Sequence, residues 1–193
     1  MTETFVQDKN YIKQNFALEP LIKGEYENCE FKNCEFSNVD LSSFHFSNCR
    51  FVGCNLSLVK LVKTIFRDTK FIESKMLGIQ FSDCSEFGLS FSFEQCVLNH
   101  ASFFKTKIKK TIFANSQIQD VDFSWCDLSA AYFLHCDLFR ATFDNTNLEK
   151  ADLSTAFNYQ INPAQNKVKK AKFSALGLAG LLTQYDLEIV GEV

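Results

Sequence analysis

From Tyr26 onward a large apolar side chain returns every five residues, at Tyr26, Phe31, Phe36, Leu41, Phe46, Phe51, Leu56, Leu61, Phe66, Phe71, Met76 and Phe81. Neither regular element explains this spacing, because a helix repeats near 3.6 residues and a strand at 2. A second run in the same step extends without a miss from Phe93 through Leu98, Phe103, Ile108, Phe113, Ile118, Phe123, Leu128, Phe133, Leu138, Phe143 and Leu148 to Leu153. The two runs are out of phase by two residues, so an irregularity must lie within 82–92, where Glu86 stands at a position the first run reserves for an apolar centre.

Two places before most centres the residue is small: Cys29, Cys34, Val39, Cys49, Cys54, Thr64, Thr69 and Ser74, then Cys96, Ala101, Thr106, Thr111, Ser116, Val121, Cys126, Ala131, Cys136, Ala141, Thr146 and Ala151. Large and small positions alternating at offsets of two and three can share one interior only if the chain turns a corner in every five residues. The remaining positions, rich in Asn, Ser, Asp, Lys and Glu, then face water and supply turn chemistry.

The stretch CDLSAAYFLHCDLFRATFDNTNLEKADLS, residues 126–154, resembles the pentapeptide repeat proteins, a family described by the pattern A(D/N)LXX, and the resemblance covers about residues 22–155. It implies an all-β chain, a right-handed quadrilateral β-helix with four pentapeptides per coil and therefore a period of 20 residues. Each coil leans on its neighbours for stability, and the end coils need covering. Six to seven coils at about 4.8 Å each give a rod roughly 30 Å long.

Both flanks read as such covers. Residues 1–21 carry YIKQNF and LEPLI, suited to an N-terminal cap. After Thr155 the pentad stops, and 156–193 divides into a polar connector, an amphipathic helix with Ser174 as its N-cap and a short strand at DLEIV. Leu178, Leu181, Leu182, Tyr185, Leu187 and Ile189 would either plug the last coil or form a two-fold interface. The resemblance implies the second, a homodimer, because members of the quinolone-resistance type pair through such an end.

Eight cysteines invite a chemical reading, and Cys29, Cys34, Cys49 and Cys54 superficially imitate zinc-ligand spacing. Yet all eight occupy the small inward position that Ala, Ser, Thr and Val also fill, which predicts packing and free thiols rather than metal or disulfides. His45, His100 and His135 fall on outward positions. There is no G-x-S-x-G, P-loop or H-E-x-x-H motif, and no glycine-rich phosphate cradle. The reading is of a protein that is not an enzyme and needs no cofactor. A net charge of −3 predicts no direct nucleic-acid binding. The absence of an apolar run near 18 residues predicts no membrane span, and the N-terminal MTETFVQDKN lacks a signal-peptide pattern, so a cytoplasmic protein is expected.

What remains is recognition by an outer surface. Acidic residues cluster at 25–40 and at 119–152, the second group comprising Asp120, Asp122, Asp127, Asp137, Asp144, Glu149 and Asp152 against Arg140 and Lys150. The resemblance to the Qnr and MfpA quinolone-resistance proteins implies a DNA mimic that binds DNA gyrase or topoisomerase IV, with Asp120, Asp122, Asp127, Asp137, Asp144 and Asp152 as its partner surface. The alternative is an interaction scaffold with another protein partner, using an apolar surface around Val52, Leu58 and Ile72.

Overall fold

In the computed structural model, which describes residues 4–190, nearly every regular segment is a short strand paired in parallel with its counterpart one coil away. The chain winds a four-walled β-helix. The first wall is a four-stranded sheet of Thr4–Gln7, Gly24–Glu27, His45–Ser47 and Ile65–Arg67. The second is a nine-stranded sheet of Asn10–Ile12, Glu30–Lys32, Arg50–Val52, Thr69–Ile72, Phe91–Glu94, Ile112–Ala114, Tyr132–Leu134, Asp152–Leu153 and Lys172–Phe173. The third and fourth walls are single-residue bridges, such as Glu35 with Asn55 and Ser102 with Asp122.

The centres fill the interior. Phe31, Phe36, Phe46, Phe51, Phe66, Phe71, Phe81, Phe93, Phe103, Phe113 and Phe123 are all buried to within 2%. Behind the second wall seven rings, Tyr11, Phe31, Phe51, Phe71, Phe93, Phe113 and Phe133, form one stack with centroid spacings of 4.9, 4.8, 5.2, 5.3, 5.1 and 4.9 Å. Behind the fourth wall Phe81, Phe103, Phe123 and Phe143 stack likewise, and rings from the two stacks meet edge to face, as Phe103 and Phe113 do at 89°.

The corners explain the small residues. The residue two places after most centres takes a positive φ, tolerable for Asn28, Asn33, Asn48 and Asn115 and free of strain at Gly53 and Gly78. Many corners close with a hydrogen bond from the small residue's N–H to the preceding centre, as Val39 to Phe36 (2.9 Å) and Ala131 to Leu128 (3.0 Å). The corner after the second wall is open, and there the N–H finds a side chain one coil on: Cys34 N–H donates to Cys54 Sγ (3.4 Å), Cys54 N–H to Ser74 Oγ (3.1 Å) and Cys96 N–H to Ser116 Oγ (3.0 Å). In return the thiols donate to carbonyls one coil back, Cys34 to Tyr11 (3.4 Å) and Cys54 to Phe31 (3.2 Å). These positions need a side chain that is small and able to bond in both directions, which Cys, Ser and Thr satisfy. All eight thiols are free and buried.

The ladder reaches beyond 22–155 at both ends. Val6, Tyr11, Phe16 and Leu21 continue the first register down through residues 4–21, so the N-terminal cover is itself a coil. Its small positions hold Lys9, Gln14 and Glu19, which are exposed because no coil lies beneath them. At the other end Asn166, Val168, Ala171 and Phe173 carry the second register on, and Lys172–Phe173 pairs with Asp152–Leu153. The expected helix after residue 174 forms instead as two 3-10 turns, Leu178–Leu181 and Thr183–Tyr185, and residues 187–190 make no strand. Gly177 and Gly180 disfavour a helix and lie so close on Tyr159 that a side chain at either would run into it. Ser174 is not the cap of either turn: Gly177 takes that place ahead of Leu178–Leu181, and the Ser174 Oγ accepts the Gly177 N–H at 3.0 Å just before it. Ile161 N–H donates to the Gly180 carbonyl at 2.9 Å, the bond that a further coil would otherwise make.

The irregularity lies wholly on the first wall. Thr69–Ile72 still pairs with Phe91–Glu94, two residues out of phase, and Gln80 still bridges to Ser102. Ser85 and Ser90 tether the excursion through their N–H groups to the carbonyls of Thr64 and Phe66, both at 2.9 Å. Between them Glu86, Phe87 and Gly88 are exposed, with Gly88 lying against the Arg67 side chain.

Candidate partner surfaces

The acids at 119–152 are set by turn geometry first. The residue just before each centre is favoured as Asp or Asn because its side-chain oxygen accepts the N–H two residues on. Asp122 accepts from Ser124 (2.9 Å), Asp127 from Ser129 (3.1 Å), Asp137 from Phe139 (3.1 Å) and Asp152 from Ser154 (3.1 Å). Most carboxylates also meet a partner from a neighbouring coil. Lys109 reaches Asp127 at 3.3 Å, Lys172 reaches Asp152 at 2.9 Å, and Asn158 Nδ2 donates to Asp137 at 2.8 Å. Arg140 lies 2.9 Å from Asp120. Burial pulls Asp127 upward, but the Ser129 hydrogen bonds and Lys109 outweigh it and hold the carboxyl below the ordinary carboxylate range. Ser154 and Lys172 do the same for Asp152.

The six acids do not share one face. Asp127, Asp152, Asp137 and Asp122 project from the first, second, third and fourth walls respectively. Asp120 sits at the corner leading into the fourth wall, with φ 55°, and Asp144 lies one coil above Asp122 on that wall. The fold therefore puts Asp122 and Asp144 on one wall, with Asp120 at the corner leading into it, and turns the others away.

Of the apolar alternative, Val52 and Ile72 are register neighbours on the second wall, while Leu58 lies at a corner beyond the third wall, 60% exposed. A larger apolar area sits higher on the second wall, where Ile112 is paired with Tyr132 and Ala114 with Leu134. Ile112, Tyr132 and Leu134 are exposed by 45, 43 and 37%. Their 20-residue offset was available in the sequence as a signal, but only when outward apolar residues are also wrapped by coil.

At the C-terminal end Leu178, Leu182, Tyr185, Leu187 and Ile189 are exposed, and Leu181 packs partly against the core. Among the described residues no group of His, Cys, Asp and Glu is arranged to hold a metal ion. No helix there is long and apolar enough to cross a membrane. Burial pushes the thiols of Cys49, Cys54, Cys126 and Cys136 up to about 12 and that of Cys96 to about 11, so they are poor nucleophiles at neutral pH.

Comparison with known proteins agrees with this architecture. The model of a pentapeptide repeat region matches residues 25–92, and that of pentapeptide repeats in eight copies matches residues 116–154, together more than half of the chain. No curated protein matches the sequence. Among solved structures, full-length QnrB1, a plasmid-mediated fluoroquinolone resistance protein, aligns over 95% of this chain and 100% of its own at 16% identity, with a TM-score of 0.53. A trypsin-treated form of QnrB1 aligns over 96% and 99% at 18% identity and a TM-score of 0.49. HetL, a pentapeptide repeat protein involved in heterocyst differentiation regulation from the cyanobacterium Nostoc, covers 89% of this chain and aligns over 73% of its own at 14% identity and a TM-score of 0.39. At such identities the likeness concerns the fold. By its repeats, their register and the family models that match them, the chain belongs to the pentapeptide repeat proteins.

Proposed function

We propose that this protein is a non-catalytic binding rod that acts as a dimer and engages a type II topoisomerase through the acidic half next to its C-terminal end. The observation that carries the reading is the adjacency of two features. Acids ring the rod at 120–152, and the end just beyond them leaves Leu178, Tyr185, Leu187 and Ile189 exposed by 49, 60, 58 and 57%. Joining two copies through that end buries apolar surface and places two acidic rings side by side, a target for a positively charged DNA-binding groove. The likeness of fold to a fluoroquinolone resistance protein supports the choice of partner. The packed interior and the high thiol pKa values support a surface role over catalysis.

The test is a DNA gyrase supercoiling assay with and without a fluoroquinolone, run beside light scattering for mass. Wild type should inhibit supercoiling or protect it from the drug. Asp122→Lys with Asp144→Lys should lose this while remaining dimeric. A monomer with no effect on the enzyme overturns the proposal. A second reading, a scaffold for a different protein, is favoured by the exposed Ile112, Tyr132 and Leu134 on the second wall. It predicts that Tyr132→Glu abolishes capture of that partner and leaves gyrase assays unchanged.

A further inference from the structure

Halfway along the rod, at the corner between the first and second walls, the surface is notched. One coil presents only Ser90 and Ser92 there, while the coil below presents Lys70 and the coil above presents Lys109 and Lys110. The hollow has a volume of about 300 Å³, and Thr111 also lines it. It exists because this coil carries the short hydroxyl side chains of Ser90 and Ser92 where Lys70 below and Lys109 and Lys110 above are long. Two coil steps, about 9.6 Å, separate the backbones carrying Lys70 and Lys110, a gap that two lysine side chains can close around an anion.

Charge favours such a ligand. Residues 60–115 carry nine Lys and Arg against five Asp and Glu, so the middle of the rod is positive between two acidic ends. Among the described residues Lys109 alone of the three lysines is paired with a carboxylate, Asp127. Asp68, the one acid in the hollow, is occupied with Ser90, whose Oγ donates to its carboxylate at 2.9 Å and accepts its N–H at 2.7 Å. The floor offers hydroxyls, and its aromatic residue, Phe91, is only 6% exposed, so no ring is available to stack on a base.

We propose that this notch binds a diphosphate group, held by Lys70 from one coil and by Lys109 and Lys110 from another, with Ser92 donating from the floor. The site reads phosphoryl oxygens and not the rest of the ligand. Occupation would pin the excursion at 86–88 to the coils on either side. The proposal is independent of the topoisomerase reading.

Titration of the 15N-labelled full-length protein with inorganic pyrophosphate tests it. Saturable shifts confined to 68–70, 90–92 and 109–111 are expected, weakening with added salt. Lys70→Ala with Lys110→Ala should raise the dissociation constant at least about tenfold. Lys150→Ala, a corner lysine of the same kind two coils higher, should leave it unchanged. All three substitutions are on exposed side chains, and circular dichroism checks that the variants keep their fold. No saturable binding, shifts spread over all lysines, or equal loss in Lys150→Ala overturns the proposal. So does binding of a duplex oligonucleotide in the absence of any response to pyrophosphate, which would mark a general basic surface.

Discussion

The first and second walls are built from the same five-residue unit, yet one runs through nine paired strands and the other breaks after four. The difference lies behind the strands. The second wall is backed by the stack of seven rings from Tyr11 to Phe133, so two extra residues there would slide every ring off its neighbour. On the first wall the ring stack ends at Phe66, and the centre that would follow is Glu86, which leaves the core without loss. An insertion is thus tolerated where the interior has least to lose, and the register resumes at Phe91 as if nothing had intervened.

The contrast predicts its own breaking points. Phe113→Ala opens a cavity in the middle of the stack and should cost about 3–5 kcal/mol in urea unfolding. An equal loss from Phe87→Ala, whose ring is 78% exposed, would refute the distinction between the walls. Ser116→Ala strands the buried Cys96 N–H and should cost about 1–3 kcal/mol. Ser116→Cys should recover most of it, as Cys54 already serves Cys34.

The thiols give a pH signature. Their unfolded value is near 9.0 and burial raises the folded values of Cys49, Cys54, Cys126 and Cys136 to about 12. The neutral form is favoured by folding, so this contribution is complete below pH 9 and is lost as pH rises towards 12. Each such thiol should remove stability progressively across that window, with a slope of at most roughly 1 kcal/mol per pH unit. Cys54→Ser should blunt the alkaline loss seen by circular dichroism. The smallest effect should come from adding Gly-Ser after Gly88, about 0.6 kcal/mol or less, because the loop is already outside the ladder.

Much of this was legible in the sequence, and what was not has identifiable causes. The centres from Tyr26 to Leu153 are visible because the interior demands large apolar groups there and nowhere else. Val6, Tyr11, Phe16 and Leu21 obey the same step, but Lys9, Gln14 and Glu19 hide it, since the bottom coil has no layer beneath to exclude polar side chains. At the other end ALGLAGLLTQY carries a helical stripe, yet its glycines serve contact with Tyr159. The acids misled in a different way. A charge reading sees Asp122, Asp127, Asp137 and Asp152 as a field, whereas each is first an acceptor that folds its own corner. The notch lined by Lys70, Lys109 and Lys110 was not legible, because its lysines come from coils two apart and meet only across Ser90 and Ser92.

A tower of near-identical storeys has an ambiguity that ordinary folds lack, since any segment can dock one floor too high or too low and still find much of its bonding. The coil that holds Glu86, Phe87 and Gly88 is two residues longer than its neighbours and matches no other floor. It works as a key cut into an otherwise repetitive lock, giving the nascent chain a single alignment at mid-height from which the storeys on either side count outward.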